Sequence, residues 1–229
     1  MRIQHENVVI ESNIPIAHIL TLDMDHRLNK HGTLSMNVMI KSDKQHVFLR
    51  ASYLGQNIQF SSAFDAEEEL IFSGKINNVT YKQKDGVTTA SIEAISYSIE
   101  LDEDKKQQSF QDTGMSFRAL LDLITSENNA RFNWQVESDR SLGKPFIQYD
   151  ETDFEFTKRL ASYFAKPIHV SLCTGRADFY FGVRTGISQN IDEATILEQG
   201  VSEVYYENGG YRNNVPREQY YWLFAILSG

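Results

Sequence analysis

The sequence predicts an α+β chain that is mainly β, with a barrel or sandwich of short strands first and an α/β stretch behind it. Three observations carry this. The stretch 33–41 alternates strictly: Leu34, Met36, Val38 and Ile40 share one face, and Ser35, Asn37 and Met39 share the other. That period of two is the mark of a strand with one buried face. Asp85-Gly86 stands between two strand-like runs, a strong hairpin turn signal. From residue 115 onward the apolar spacing changes, and Phe117, Leu120, Leu121 and Ile124 follow the i, i+3, i+4, i+7 stripe of a helix.

Taken in order, 18–25 alternates Ile/Leu with Thr and Asp and reads as a strand. Further short strands are expected at 58–60, 69–72 and 76–81, and the Asp85-Gly86 turn separates 79–84 from 87–95. Short strands with close turns suggest a sandwich or barrel rather than a parallel α/β sheet. A helix is predicted over 115–127 with Ser116 as its N-cap. A short strand follows at 132–136. Thr152-Asp153-Phe154-Glu155 spells a capping box. The helix it opens has Phe156, Leu160, Tyr163 and Phe164 as its apolar face, and Pro167 blocks continuation. Strands are expected at 168–172 and 178–181, joined through Thr174-Gly175. Beyond residue 186 the pattern weakens. One or two strands are expected over 196–206, a turn at Asn208-Gly209-Gly210, and a buried strand or short helix at 220–227. Such a run at the end of the chain is expected to lie under a partner or a further domain.

At 229 residues the chain suits one large domain or two small ones, with 41% apolar and 23% charged residues. The formal net charge of −9 argues against wrapping nucleic acid, since phosphate neutralisation needs a dense Lys/Arg surface. It argues equally against an anionic membrane. The one cysteine, Cys173, makes no intrachain disulfide, and its place in the apolar run 168–173 predicts a buried structural thiol. No signal-like stretch follows Met1. The longest apolar run, 220–227, is far short of the roughly 20 residues of a spanning helix. The expectation is a soluble chain made in the cytoplasm, with no stable membrane insertion.

Catalytic signatures are sparse. GxGxxG, P-loop, GxSxG and HExxH spellings are absent. None of the six histidines pairs at i, i+4 on a predicted helix; His26 and His31 bracket a turn across which they can approach each other, with a solvated or locally bonded state as the default. Ser141-Leu142-Gly143-Lys144 spells SxxK in a Gly/Pro-bounded loop, where the helix that motif needs is lacking. The acidic run Asp102-Glu103-Asp104, followed by Lys105-Lys106, reads as a solvated loop. The group Asp150, Glu151, Asp153 and Glu155 sits at a helix N-terminus, where capping explains it. Asp23 and Asp25 share what reads as a wet strand face. Asn78-Val79-Thr80 is a glycosylation sequon by spelling, inside a predicted strand. No catalytic, cofactor-binding or metal-binding residue is assigned, and the expectation is a protein that is not an enzyme.

Three stretches together carry a resemblance: Phe72-Ser73-Gly74-Lys75-Ile76-Asn77-Asn78-Val79; Ser96-Tyr97-Ser98-Ile99-Glu100-Leu101-Asp102 with Ser109-Phe110-Gln111-Asp112 and the helix behind them; and Gln148-Tyr149-Asp150-Glu151-Thr152-Asp153-Phe154-Glu155-Phe156 continuing to Arg159-Leu160-Ala161. Their order and spacing resemble the phage late control protein D family and the N-terminal hub part of VgrG. Arg27-Leu28-Asn29-Lys30-His31-Gly32-Thr33-Leu34 resembles that family's turn between its first long strands. The resemblance covers roughly residues 1–185.

It implies a phage tail hub-like fold: a first β-barrel over 1–110, an α/β module with two helices over 111–185, and an incomplete second barrel or docking segment over 186–229. It also implies a role. Three hub subunits form a homotrimeric ring that joins a sixfold tail tube protein to a threefold spike protein in a phage tail or a type VI secretion-like machine, assembled in the bacterial cytoplasm. Tyr205, Tyr206, Tyr211, Tyr220, Tyr221 and Phe224 suit the aromatic interfaces of such an assembly. The alternatives are the front part of a tail-associated peptidoglycan hydrolase and a β-barrel carbohydrate-binding module.

Overall fold

The structure is a computed structural model that describes residues 2–5, 8–64 and 67–183. The chain is α+β and mainly β. Seven strands form one antiparallel sheet: β1 (Arg2–His5), β2 (Val8–Glu11), β3 (Ile16–Asp25), β4 (Thr33–Ile40), β5 (Asn57–Phe64), β6 (Glu67–Lys84) and β7 (Val87–Ser96). Their order is β1-β2-β5-β6-β7-β4-β3. The sheet curls until its two edge strands, β1 and β3, come alongside each other, which gives the barrel-like form. A short helix, α1 (Gln45–Phe48), lies between β4 and β5, and a 3-10 turn over Tyr97–Asp102 follows β7.

Alternation decides which face is inside. On β4, Leu34, Met36, Val38 and Ile40 are buried while Ser35 and Asn37 are exposed, as the period of two predicts. On β7, Ala90, Ile92 and Ala94 meet them. The Asp85-Gly86 turn has φ of 51° and 80°, the pair of positive values that a two-residue hairpin of type I′ requires.

The two strands expected at 69–72 and 76–81 are a single strand, β6, of 18 residues. Its first half pairs with β5 and its second with β7, the changeover falling at Gly74 and Lys75. Gly74 is a place of close approach, not a break. A Cβ there would sit 2.2 Å from the carbonyl oxygen of Ile95.

The α/β module comprises β8 (Lys106–Phe110), α2 (Phe117–Glu127), β9 (Arg131–Trp134), β10 (Phe146–Glu151), α3 (Asp153–Ser162), β11 (Ile168–Val170) and β12 (Asp178–Phe181). β8 pairs with β10, so a strand ahead of residue 111 belongs with the elements behind it. β11, β12 and β9 form a small sheet in that order, with β12 and β9 parallel. Both helices start where the sequence places their caps. The Ser116 hydroxyl accepts from the Ala119 amide at 3.1 Å, and Thr152 and Glu155 close a complete capping box. Barrel and module share one hydrophobic core within a single compact unit. The strands and turn expected over 196–206, 208–210 and 220–227, the second barrel over 186–229 and the aromatic residues named there lie outside the described residues.

Candidate functional site: the seam between barrel and module

The turn between β3 and β4 clasps the edge of the module. Asn29 adopts a left-handed conformation, φ 61°, which turns its backbone and side chain toward β11. Its amide donates to the Ile168 carbonyl and its side-chain oxygen accepts from the Ile168 amide, both at 2.9 Å. His26 Nε2 lies 3.1 Å from the Val170 carbonyl, an acceptor, so that nitrogen carries the proton. The ring stacks on His169 with centroids 4.6 Å apart. Leu172 then packs over Gly32, where a Cβ would come within 2.3 Å of it, and its carbonyl accepts from the Ser73 amide at 2.7 Å.

One residue before Gly32, His31 links three elements. Its Nε2 is 3.1 Å from Asp102, its Nδ1 is 2.8 Å from the Ser98 hydroxyl, and its ring lies on Phe154 at 4.0 Å. The proton directions follow from the partners. A carboxylate only accepts, so His31 Nε2–H donates to Asp102 and Nδ1 accepts from Ser98. The Ser98 oxygen then accepts from Ser96, whose own oxygen accepts from the Gly32 amide. On the other side Asp102 accepts from the Thr152 hydroxyl, the same hydroxyl that caps α3. Burial pushes the His31 pKa down, more than Asp102 raises it. Burial alone would raise Asp102; the bonds from Thr152 and His31 outweigh it and hold the carboxyl below its ordinary value. The pair is therefore a neutral imidazole against a carboxylate at neutral pH.

Ser98, His31 and Asp102 have the residue types of an acyl-transfer triad, and the geometry argues against that use. In a triad Nε2 faces the serine and Nδ1 the carboxylate; here the ring is reversed. Ser98 is 1% exposed and its hydroxyl already serves His31. The trio ties the β3–β4 turn, the 3-10 turn and the start of α3 together.

A second network closes the other side of α3. Asp153, 2% exposed, receives Lys106 at 2.7 Å, Asn128 at 2.6 Å and Gln148 at 2.9 Å. Lys106 also reaches Glu127 at 2.8 Å. Burial would lower the lysine pKa, but these two carboxylates outweigh it and raise it. Arg159 forks onto Glu151 at 2.8 and 2.7 Å.

Several sequence-based expectations change here. His26 and His31 do not meet; each turns to a different partner on the module. Asp102 is not a solvated loop residue but half-buried in the clasp, and Asp153 does more than complement a helix dipole. Cys173 is exposed, because Ile168, Val170 and Leu172 take the inward positions and the alternation leaves the thiol on the outer side. Its thiol lies 3.4 Å from the Ile71 carbonyl. Ser141 bridges to Ser116 in an irregular loop, so no helix stacks it under Lys144. Asn78 bonds Glu93 across β6 and β7, and Asp23 and Asp25 are exposed. Among the described residues no group of three metal-ligating side chains gathers, and no helix is long and apolar enough to cross a membrane.

No family model and no curated protein matches the chain. Solved structures do. A component of the Escherichia coli type VI secretion system, itself structurally similar to the bacteriophage T4 tail proteins gp27 and gp5, superposes with TM-score 0.56 at 16% identity, covering 75% of this chain and 48% of its own. The 43 kDa tail protein of prophage MuSo2 from Shewanella oneidensis gives 0.56 at 15%, with 76% and 52% covered. A tail protein from Neisseria meningitidis MC58 gives 0.56 at 13%, with 76% and 50%. At such identities the likeness is one of fold: the chain has a phage tail hub-like fold. It spans about half the length of the solved proteins it matches.

Proposed function

We propose that the chain is a structural, non-enzymatic hub component of a phage tail or contractile injection machine. In this reading three copies assemble into a ring that joins a sixfold tail tube protein to a threefold spike protein. Assembly takes place in the bacterial cytoplasm, and the subunit then travels as part of the particle. The observation that carries the reading is the fold shared over three quarters of this chain with a secretion-system component and two tail proteins. The seam agrees with it. The titratable and hydroxyl groups that gather there bond one another and fix the module against the barrel, as a load-transmitting subunit requires, and the one serine among them beside a histidine is inaccessible to substrate. The test is solution mass by light scattering at rising concentration, alone and with tail tube and spike proteins from the same genome. A trimer in either setting is expected. A monomer that binds neither partner sinks the proposal.

A further inference from the structure

The end of the barrel that carries α1 opens into a cleft of about 400 Å³. Pro15, Val47 and Tyr53 supply its apolar lining, and Lys41, Asp43 and Lys44 supply its charges. Tyr53 is 6% exposed and stacks on Phe48 at 5.3 Å, so its ring is fixed. Its hydroxyl makes no hydrogen bond among the described residues, although the residue lines the cleft. Burial pushes the phenol pKa up, which keeps it protonated and a donor. Lys41 and Lys44 form no ion pair among the described residues either, despite Asp43 beside them. α1, which carries Val47, is held to the β6–β7 hairpin through Gln45 Nε2 and the Gly86 carbonyl at 3.0 Å. With two lysines against one aspartate, the cleft is net positive in a chain of net charge −9, and it has a donor on its wall.

We propose that this cleft docks an acidic peptide segment of a partner protein. A carboxylate sits between Lys41 and Lys44 and accepts from the Tyr53 hydroxyl, while the apolar side chain next to it packs on Pro15 and Val47. Charge complementarity selects the occupant: an apolar segment without acid leaves two lysines and a phenol without partners, and desolvated donors left unpaired disfavour binding. The inference does not depend on the tail reading and survives its failure.

The experiment uses the full chain and a dye-labelled peptide of alternating glutamate and leucine, with its glutamine counterpart as control, followed by fluorescence anisotropy at low salt. The glutamate peptide binds, and the glutamine peptide binds about tenfold more weakly or not at all. Lys41→Gln with Lys44→Gln weakens the glutamate peptide about tenfold. Tyr53→Phe, which keeps the ring and its stack, weakens it about three- to fivefold with an unchanged melting midpoint. Lys30→Gln, on the distant β3–β4 turn, has no effect. Equal binding of the two peptides, equal weakening by Lys30→Gln, or no binding of either overturns the proposal. So does self-association of the chain that the paired lysine substitutions abolish, since the occupant is then a second copy.

Discussion

The barrel and the module are held together by different means. The barrel core is mostly aliphatic, built from Ile10, Ile16, Leu34, Met36, Val38, Ile58 and Ile92 around the rings of Phe48, Phe60 and Phe72, and its strands are tied by long backbone ladders. The module core mixes Leu120, Leu121, Ile124 and Leu160 with a denser set of ring contacts. Phe117 meets Phe146 and Phe164 edge-on at 5.4 and 4.9 Å, Trp134 stacks on Phe181 at 4.9 Å, and Phe110 stacks on Phe156 at 5.6 Å. Its strands are short, and side chains such as Asp153, Lys106 and Thr152 bond where ladders run out. The difference teaches where each region is vulnerable. Stability in the barrel is spread over many equivalent contacts, while in the module a few side chains each hold several elements.

That contrast breaks most visibly in the module core. Phe156→Ala removes a ring with 0% exposure and is expected to cost about 4 kcal/mol in chemical denaturation, against about 3 kcal/mol for Phe72→Ala, equally buried in the barrel. A larger loss at Phe72 would refute the distinction. Next, Asp153→Ala leaves Lys106 with Glu127 alone and takes the shared acceptor from Asn128 and Gln148. A loss of about 3 kcal/mol is expected, with faster amide exchange in α3 and β8 than in β4 and β7. Uniform exchange across both regions would argue that barrel and module open together.

Gly74→Ala probes a place where the barrel backbone has no slack. With Ile95 backbone in the way, about 2 kcal/mol is expected to go. An effect below about 0.5 kcal/mol would mean that β6 bends easily at the changeover. Thr152→Ala removes both the cap of α3 and the donor to Asp102, at about 1–2 kcal/mol.

The smallest effect sharpens the seam itself. Burial lowers the pKa of both His26 and His31 from an ordinary 6.5, against bonding to Val170 and Asp102 that would raise them. The folded chain therefore prefers them neutral, and the unfolded chain takes up protons first. The stabilisation is complete above pH 6.5 and is lost as pH falls through the lowered folded values. Denaturation midpoints should fall between about pH 7.5 and about pH 5.5, less steeply in His26→Gln. A flat profile in the wild type would show that the imidazoles titrate freely.

Much of the fold was legible because it is local. The alternation on β4, the Asp85-Gly86 turn, the Ser116 cap and the Thr152–Glu155 capping box each depend on residues a few positions apart. The misreadings share a cause. Ser73-Gly74 spells a break when only the chain order is visible, yet Ile95 on the neighbouring strand makes glycine necessary inside a continuous strand. Cys173 sits in an apolar run, and only the packing of Leu172 over Gly32 shows which positions of that run face inward. The clasp was out of reach for the same reason. Asp102 looks like part of a charged loop until His31 arrives, and Lys106 looks solvated until Asp153 does.

By itself, then, the sequence determined the mainly β character, the hairpin, the helix starts and the inward face of the central strands, since sterics and hydrogen bonding between near neighbours set all of these. Only the tertiary structure decided which polar groups became a site. His31 meets Asp102 across 71 positions and His26 meets Val170 across 144. Such pairs form when the hydrophobic core draws distant segments together, and nothing in either segment announces its partner.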